Sequence, residues 1–270
     1  AQGRTRGQTV SAILAGLVVI YALTVVVKIA LEPQHFQLLF CTYYAAGQAF
    51  AQGLDPYDID VLRALEPRIQ GLPYVYPPLT LYLFLPLAML PFYAAYLVYL
   101  GVKTACLIAL IWIWHKWFLK RSPDGLFLLV CLMGFNFAIY WDFSAGNISV
   151  FEQILLWSGL LAFLRGRLKT FAVLVALAAS FKLTLVLFLG LLVFRQGRAR
   201  WYAGLLGTGV FVGLLGLSSV LHAEMMISFV QNIRGTTPGL QTGSAVYYDH
   251  PPASWPLLAE ISESVCEKVG

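Results

Sequence analysis

The sequence predicts an all-α protein threaded several times through a membrane, and three observations predict it. Of its 270 residues 59% are hydrophobic and 11% are charged, where soluble domains carry about 25% charged residues. Apolar runs alternate with short basic clusters: Arg4 and Arg6, then Lys116, Lys120 and Arg121, then Arg165, Arg167 and Lys169, then Arg195, Arg198 and Arg200. Pro77, Pro78 and Pro91 bracket one apolar run, where prolines punctuate structure. The net charge of +5 resides in clusters of the kind that orient membrane helices, so no nucleic-acid partner is expected. The four cysteines lack metal-ligand spacing. They read as small buried residues, with a Cys41 to Cys266 disulfide as the lesser alternative.

Each element follows from these signals, within one membrane domain over residues 1–270. No signal-peptide cleavage pattern follows the first apolar run, so residues 10–31 are expected to form a retained helix. Arg4 and Arg6 before it put the N-terminus in the cytoplasm and Glu32 outside. Residues 32–78 are mixed in composition and contain "LDPYDID", whose Asp-Pro and preceding glycine are turn formers. They are expected to be a long external loop carrying two stretches suited to interfacial helices; loops of that length are usually functional.

The run over residues 79–90 supplies about a dozen apolar residues where a span needs roughly 20. If it crossed and residues 92–114 crossed back, the cluster at Lys116 would lie outside, against the positive-inside rule. It is therefore expected to dip in or lie at the interface. Pro77 and Pro78 force an extended entry, and Pro91 separates the short helix from the true span. Residues 126–140 then run outward, "WDFSAGN" (141–147) makes an external turn, and residues 148–164 return. The next apolar stretch, residues 171–194, has Lys182 at its middle and basic clusters at both ends. A single helix would bury an ammonium group at a cost of about 2.5–3.5 kcal/mol and put one cluster on the wrong side. A hairpin of two short helices turning near Lys182 removes both conflicts. Residues 201–221 go outward, and residues 222–270 form a second external region.

Three stretches carry a resemblance. "YYAAGQAFAQGLDPYD" (43–58), "YVYPPLTLYLFLPLAMLP" (74–91) and "ASFKLTLVLFLGLLVFRQGRARW" (179–201), in this order and separation, resemble the bacterial polyprenyl-phosphate-mannose-dependent α-mannosyltransferases of the GT-C superfamily, over residues 34 to about 201. "GNIS" (146–149) would correspond to a Gly-Gln-x-Asn turn of that family. The resemblance implies a GT-C-like fold and an enzyme that moves a mannose-like sugar from a polyprenyl-phosphate donor to a hydroxyl of an external lipid or glycan. No cofactor is expected, and no residue is assigned to a metal. The bacterial plasma membrane is the implied location, with the active side periplasmic or external.

In that chemistry a carboxylate in the first external loop takes the acceptor's proton, and a cation meets the leaving phosphate. The family usually carries an Asp about four residues before its tyrosine pair, where this chain has Leu39 and Phe40. Glu32 and Asp58 are the expected catalytic substitutes, with Asp55 beside them. Glu32 also reads as a boundary charge, and Asp55 and Asp58 as turn-shaping residues. Lys182 is the expected phosphate contact, or else a lysine snorkelling to the interface. Tyr74 and Tyr76 line a substrate groove or belong to an interfacial aromatic belt. Asp142 holds a sugar hydroxyl or caps a helix, and Asn147 completes the expected binding set. His35, Asp249 and His250 are weaker candidates.

Expected partners are membrane lipids, the donor, the acceptor and other membrane subunits. The missing family carboxylate, with a run such as "FLLVCLMGFNFAIYW" that suits a protein neighbour as well as lipid, keeps a second reading open: an inactive relative serving as an accessory subunit. A transporter is disfavoured because the two halves of the chain do not match.

Overall fold

The computed structural model describes residues 6–32, 37–69, 72–118 and 138–235. Among them every regular element is helical, as expected for a chain that must pair its backbone groups without water. Helix α1 (Arg6–Leu31) runs for 26 residues, about 39 Å. Its Ile13, Leu17, Ile20, Leu23 and Val27 stay more than half exposed, the surface that a lipid-facing helix keeps. The long loop that follows contains α2 (Leu38–Ala51) and α3 (Ile59–Leu65), and α2 is largely buried in the core.

The proline pair does what its stiffness dictates. Pro77 is extended, at φ −57° and ψ 150°, and Pro78 opens a single 3-10 turn, Pro78–Thr80. Helix α4 (Leu81–Ala88) has 8 residues with Pro86 inside. That is about 12 Å against a hydrocarbon core of about 30 Å, so α4 is too short to cross. It lies against α2 so closely that a Cβ on Gly47 would sit 3.0 Å from the Ala88 Cβ. Pro91, at φ −55° and ψ 142°, separates it from α5 (Phe92–Ile113). With its π-helical end at Trp114–Phe118, this segment has 27 residues and is long and apolar enough to span a membrane.

The run expected over 126–140 lies mostly outside the described residues. "WDFSAGN", expected as a plain turn, is instead largely helical: α6 (Tyr140–Ala145) ends at Gly146, which takes φ 73°. A glycine in the left-handed region ends a helix as readily as it makes a turn, and the sequence reading took the second option. Helices α7 (Ser149–Leu164) and α8 (Leu168–Phe181) follow as an antiparallel pair.

The expected break at Lys182 is present. The residue is extended, at φ −132° and ψ 100°, and ends α8. A 3-10 segment, Leu183–Phe194, then packs on α8 and on α9 (Ala199–Leu221). Helix α9 is the second described segment long and apolar enough to cross. It meets α8 closely, since a Cβ on Gly207 would lie 3.0 Å from the Ala172 Cβ. Finally α10 (Ala223–Ile233) docks on the first loop. There Asn232 Nδ2 donates to the Tyr57 carbonyl at 3.1 Å, and the Ser228 hydroxyl donates to Asp55 Oδ2 at 2.8 Å. One core joins α2, α5, the first loop and residues 143–150, and a second joins α7, α8 and α9.

Candidate functional site

The turn between α6 and α7 is fastened from two sides. From α5, Lys103 is fully buried, and its ammonium group meets Asp142 Oδ2 at 2.7 Å and the carbonyls of Asp142 and Asn147 at 2.6 Å each. The ammonium group thus donates to two carbonyls and faces its counter-charge, while neither buried Asp142 oxygen has a hydrogen-bond partner among the described residues. One turn earlier, the Tyr99 hydroxyl reaches the carbonyls of Gly146 and Asn147 at 2.8 and 2.9 Å. From the other side, Gln37 sits at φ 73° with no exposed surface. Its N–H donates to the Ser144 carbonyl at 2.6 Å and its side-chain amide donates to the Phe143 carbonyl. Gly146 is needed here, because a Cβ would lie 2.6 Å from Gln37 Oε1.

Ser149, at the start of α7, also acts on the Asp142 carboxylate, but makes no hydrogen bond to it. The start of α7 has no side-chain cap hydrogen bond, and the contact the structure gives the carboxylate is its ion pair with Lys103. Asn147 likewise turns inward, its Oδ1 accepting from the Ile148 N–H at 2.7 Å.

Beside this turn, the Tyr76 ring packs on Tyr43, Tyr74 and Phe181, with centroids at 5.7, 5.6 and 6.5 Å. Its hydroxyl lies 3.3 Å from that of Tyr43. Burial pushes the Tyr76 hydroxyl up to about 12, with the Glu152 and Asp142 carboxylates adding to the effect, so it remains a proton-bearing donor at neutral pH. Glu152, in the first turn of α7, is 6% exposed. Its charged neighbours are Lys182 and Asp142. Lys182 itself is exposed at the helix break, next to Phe181. The cluster thus offers an accessible cation, a buried acid and a neutral phenol, over an ion pair already committed to holding the turn.

Tyr76, Asp142 and Asn147 lie around this turn, and Lys182 lies at the helix break next to Phe181, whose ring packs on Tyr76. Tyr74 lies beneath them: it has no exposed surface and its hydroxyl meets Thr80 Oγ1 at 2.5 Å, so it supports Tyr76 and belongs to no interfacial belt. Asp58 is exposed and caps α3, accepting from the Asp60 N–H at 2.8 Å. Asp55 shapes the preceding turn, accepting from the Tyr57 N–H at 2.9 Å. Glu32 closes α1, in a shallow groove with Leu23, Thr24, Val27, Lys28 and Leu31. His35, Asp249, His250 and Cys266 lie outside the described residues, and Cys41 is a buried free thiol.

The sequence reading missed Lys103, Glu152 and Gln37. The first two carried a usable signal, since an ionisable residue inside an apolar helix marks a functional position by default. Gln37 carried none, because a non-glycine residue in the left-handed region is not predictable from its type.

The fold and this cluster define an all-helical membrane protein that holds acidic and basic groups among apolar helices. The family model for glycosyltransferase family 87 matches residues 74–249, more than half of the chain. The chain belongs to that family, a group of membrane glycosyltransferases of the GT-C type. No curated protein and no solved structure matches it. The family implies a sugar donor and an acceptor, and it does not favour the accessory-subunit alternative.

Proposed function

We propose that the protein moves a mannose-like sugar from a polyprenyl-phosphate donor to a hydroxyl of a lipid or glycan. The observation that carries this reading is Lys182: exposed, at an extended break between two apolar helical segments, and next to the acid and phenol groups of the cluster. A lipid phosphate arriving from the bilayer would meet its ammonium and the first N–H groups of the 3-10 segment, which have no partner inside that helix. Such a cation stabilises the charge that develops on the departing phosphate. Tyr76 would donate to a sugar hydroxyl beside it, while the Asp142–Lys103 pair keeps the 142–147 turn in place.

The positive-inside pattern supports a plasma-membrane location with a cytoplasmic N-terminus and the cluster on the external side. The whole chain serves as one membrane domain, with membrane lipids and the two substrates as its partners. Sugar transfer from decaprenyl-phosphate-mannose by the purified protein tests the reading, with Lys182→Ala alongside. Transfer by the wild type and a loss of donor affinity of at least tenfold in the variant are expected. Unchanged donor affinity in Lys182→Ala would remove Lys182 from the site.

A further inference from the structure

We propose that Glu152 is the base that accepts the proton of the acceptor hydroxyl. The inference rests on the sugar-transfer reading above and deepens it. Two described carboxylates have less than a tenth of their surface exposed, Glu66 and Glu152. Glu66 holds Arg68 in a forked pair at 2.6 and 2.7 Å. Glu152 has no side-chain hydrogen bond and no ion pair within 4.0 Å among the described residues. Glu152 is 6% exposed as a residue, yet its carboxylate oxygens are not among the sealed polar atoms of the described residues, so they stay open to a small molecule. A carboxylate with no partner among the described side chains is free to accept a proton from an incoming hydroxyl.

Asp142 and the first-loop aspartates make local contacts. Asp142 is held by Lys103, Asp58 by its cap, Asp55 by Tyr57 and Ser228, and Asp60 by Arg63. Lys182 is close enough to Glu152 to be felt and too far to pair with it. That separation suits a displacement in which the base serves the incoming oxygen and the cation serves the outgoing one. The acceptor oxygen forms a bond to the sugar's anomeric carbon. The bond from that carbon to the phosphate oxygen breaks, its electron pair staying on the phosphate beside Lys182. The acceptor proton passes to a Glu152 oxygen and from there to water.

The test compares wild type, Glu152→Gln, Glu152→Asp, Glu32→Gln and Asp58→Asn as purified full chains. Decaprenyl-phosphate-mannose is the donor, and octyl mannoside or extracted membrane lipid is the acceptor. Donor binding, transfer and the thermal midpoint are read together. Loss of a general base lowers transfer by about 10²–10⁴-fold. Glu152→Gln is expected to show that loss with donor binding within twofold of wild type and a thermal midpoint unchanged or raised, and Glu152→Asp to recover part of the rate. Transfer by Glu152→Gln within threefold of wild type overturns the inference and leaves the sugar-transfer reading intact, and loss in Glu32→Gln or Asp58→Asn would then place the base there. A Glu152→Gln variant that loses donor binding or thermal stability together with transfer also overturns it, in favour of a structural role. A wild type that transfers to neither acceptor overturns the sugar-transfer reading itself, and the inference with it.

Discussion

Replacing Lys103 by methionine keeps the length of the side chain and removes its charge. In the folded protein the ammonium group has no exposed surface, while the Asp142 side chain is 11% exposed. The variant would therefore leave a carboxylate almost wholly inside the protein without its counter-charge, and would strip the carbonyls of Asp142 and Asn147 of a donor at 2.6 Å. Removing one partner of a buried pair costs about 3–5 kcal/mol, even where replacing both partners is neutral. At about 2–4 °C per kcal/mol for a chain of 150–250 residues, Lys103→Met should lower the unfolding midpoint in detergent by about 6–20 °C. Adding Asp142→Asn removes the stranded charge and should return at least about 2 kcal/mol of that loss. A fall of less than about 1 kcal/mol, or a double variant no more stable than the single one, would show that this pair does not hold the turn.

Other predictions follow from equally specific contacts. Gly146→Ala must place a Cβ 2.6 Å from Gln37 Oε1 at φ 73°, a conformation that costs a non-glycine residue about 1–2 kcal/mol before any clash; differential scanning fluorimetry should register the loss, and an unchanged midpoint would count against the close approach of the two segments. Cys41 is 1% exposed and burial pushes its thiol up to about 12, so its thiolate is suppressed between the ordinary thiol range near 8.5 and that value. Mass spectrometry should find Cys41 unalkylated by iodoacetamide at about pH 9 until the protein is unfolded. Asp55 and Ser228 touch at 2.8 Å although 173 residues separate them. Cysteines at both positions in a cysteine-free background should cross-link under mild oxidation, and failure to do so would detach α10 from the first loop.

What the sequence disclosed about the fold came from conflicts. Residues 79–90 were too short to cross and residues 171–194 carried two basic ends and a central lysine, so each had only one arrangement consistent with charge and length; α4 and the break at Lys182 match those arrangements. The site was less legible, because its contacts are remote along the chain. Lys103 and Asp142 are 39 residues apart, and Gln37 reaches across 106 residues to Phe143. Nothing local in "GVKTACL" names the partner of its lysine. Tyr74 and Tyr76 illustrate a different limit: two aromatics in one short extended stretch take opposite places, one sealed against Thr80 and the other facing the cluster. The expected base at Glu32 was favoured by its position at the mouth of a helix, whereas Glu152 was hidden among the apolar neighbours that bury it.

The distance between Lys103 and its counter-charge also bears on how the protein is made. Lys103 lies near the middle of the 27-residue apolar segment that begins at Phe92, a position where an isolated lysine raises the free energy of insertion by about 2.5–3.5 kcal/mol. Asp142 emerges from the ribosome 39 residues later, roughly two to eight seconds behind at about 5–20 residues per second. During that interval the lysine has no counter-charge from Asp142. The pair forms only once Asp142 has been made, so the contact that holds the turn offsets that insertion cost only after residue 142 has followed.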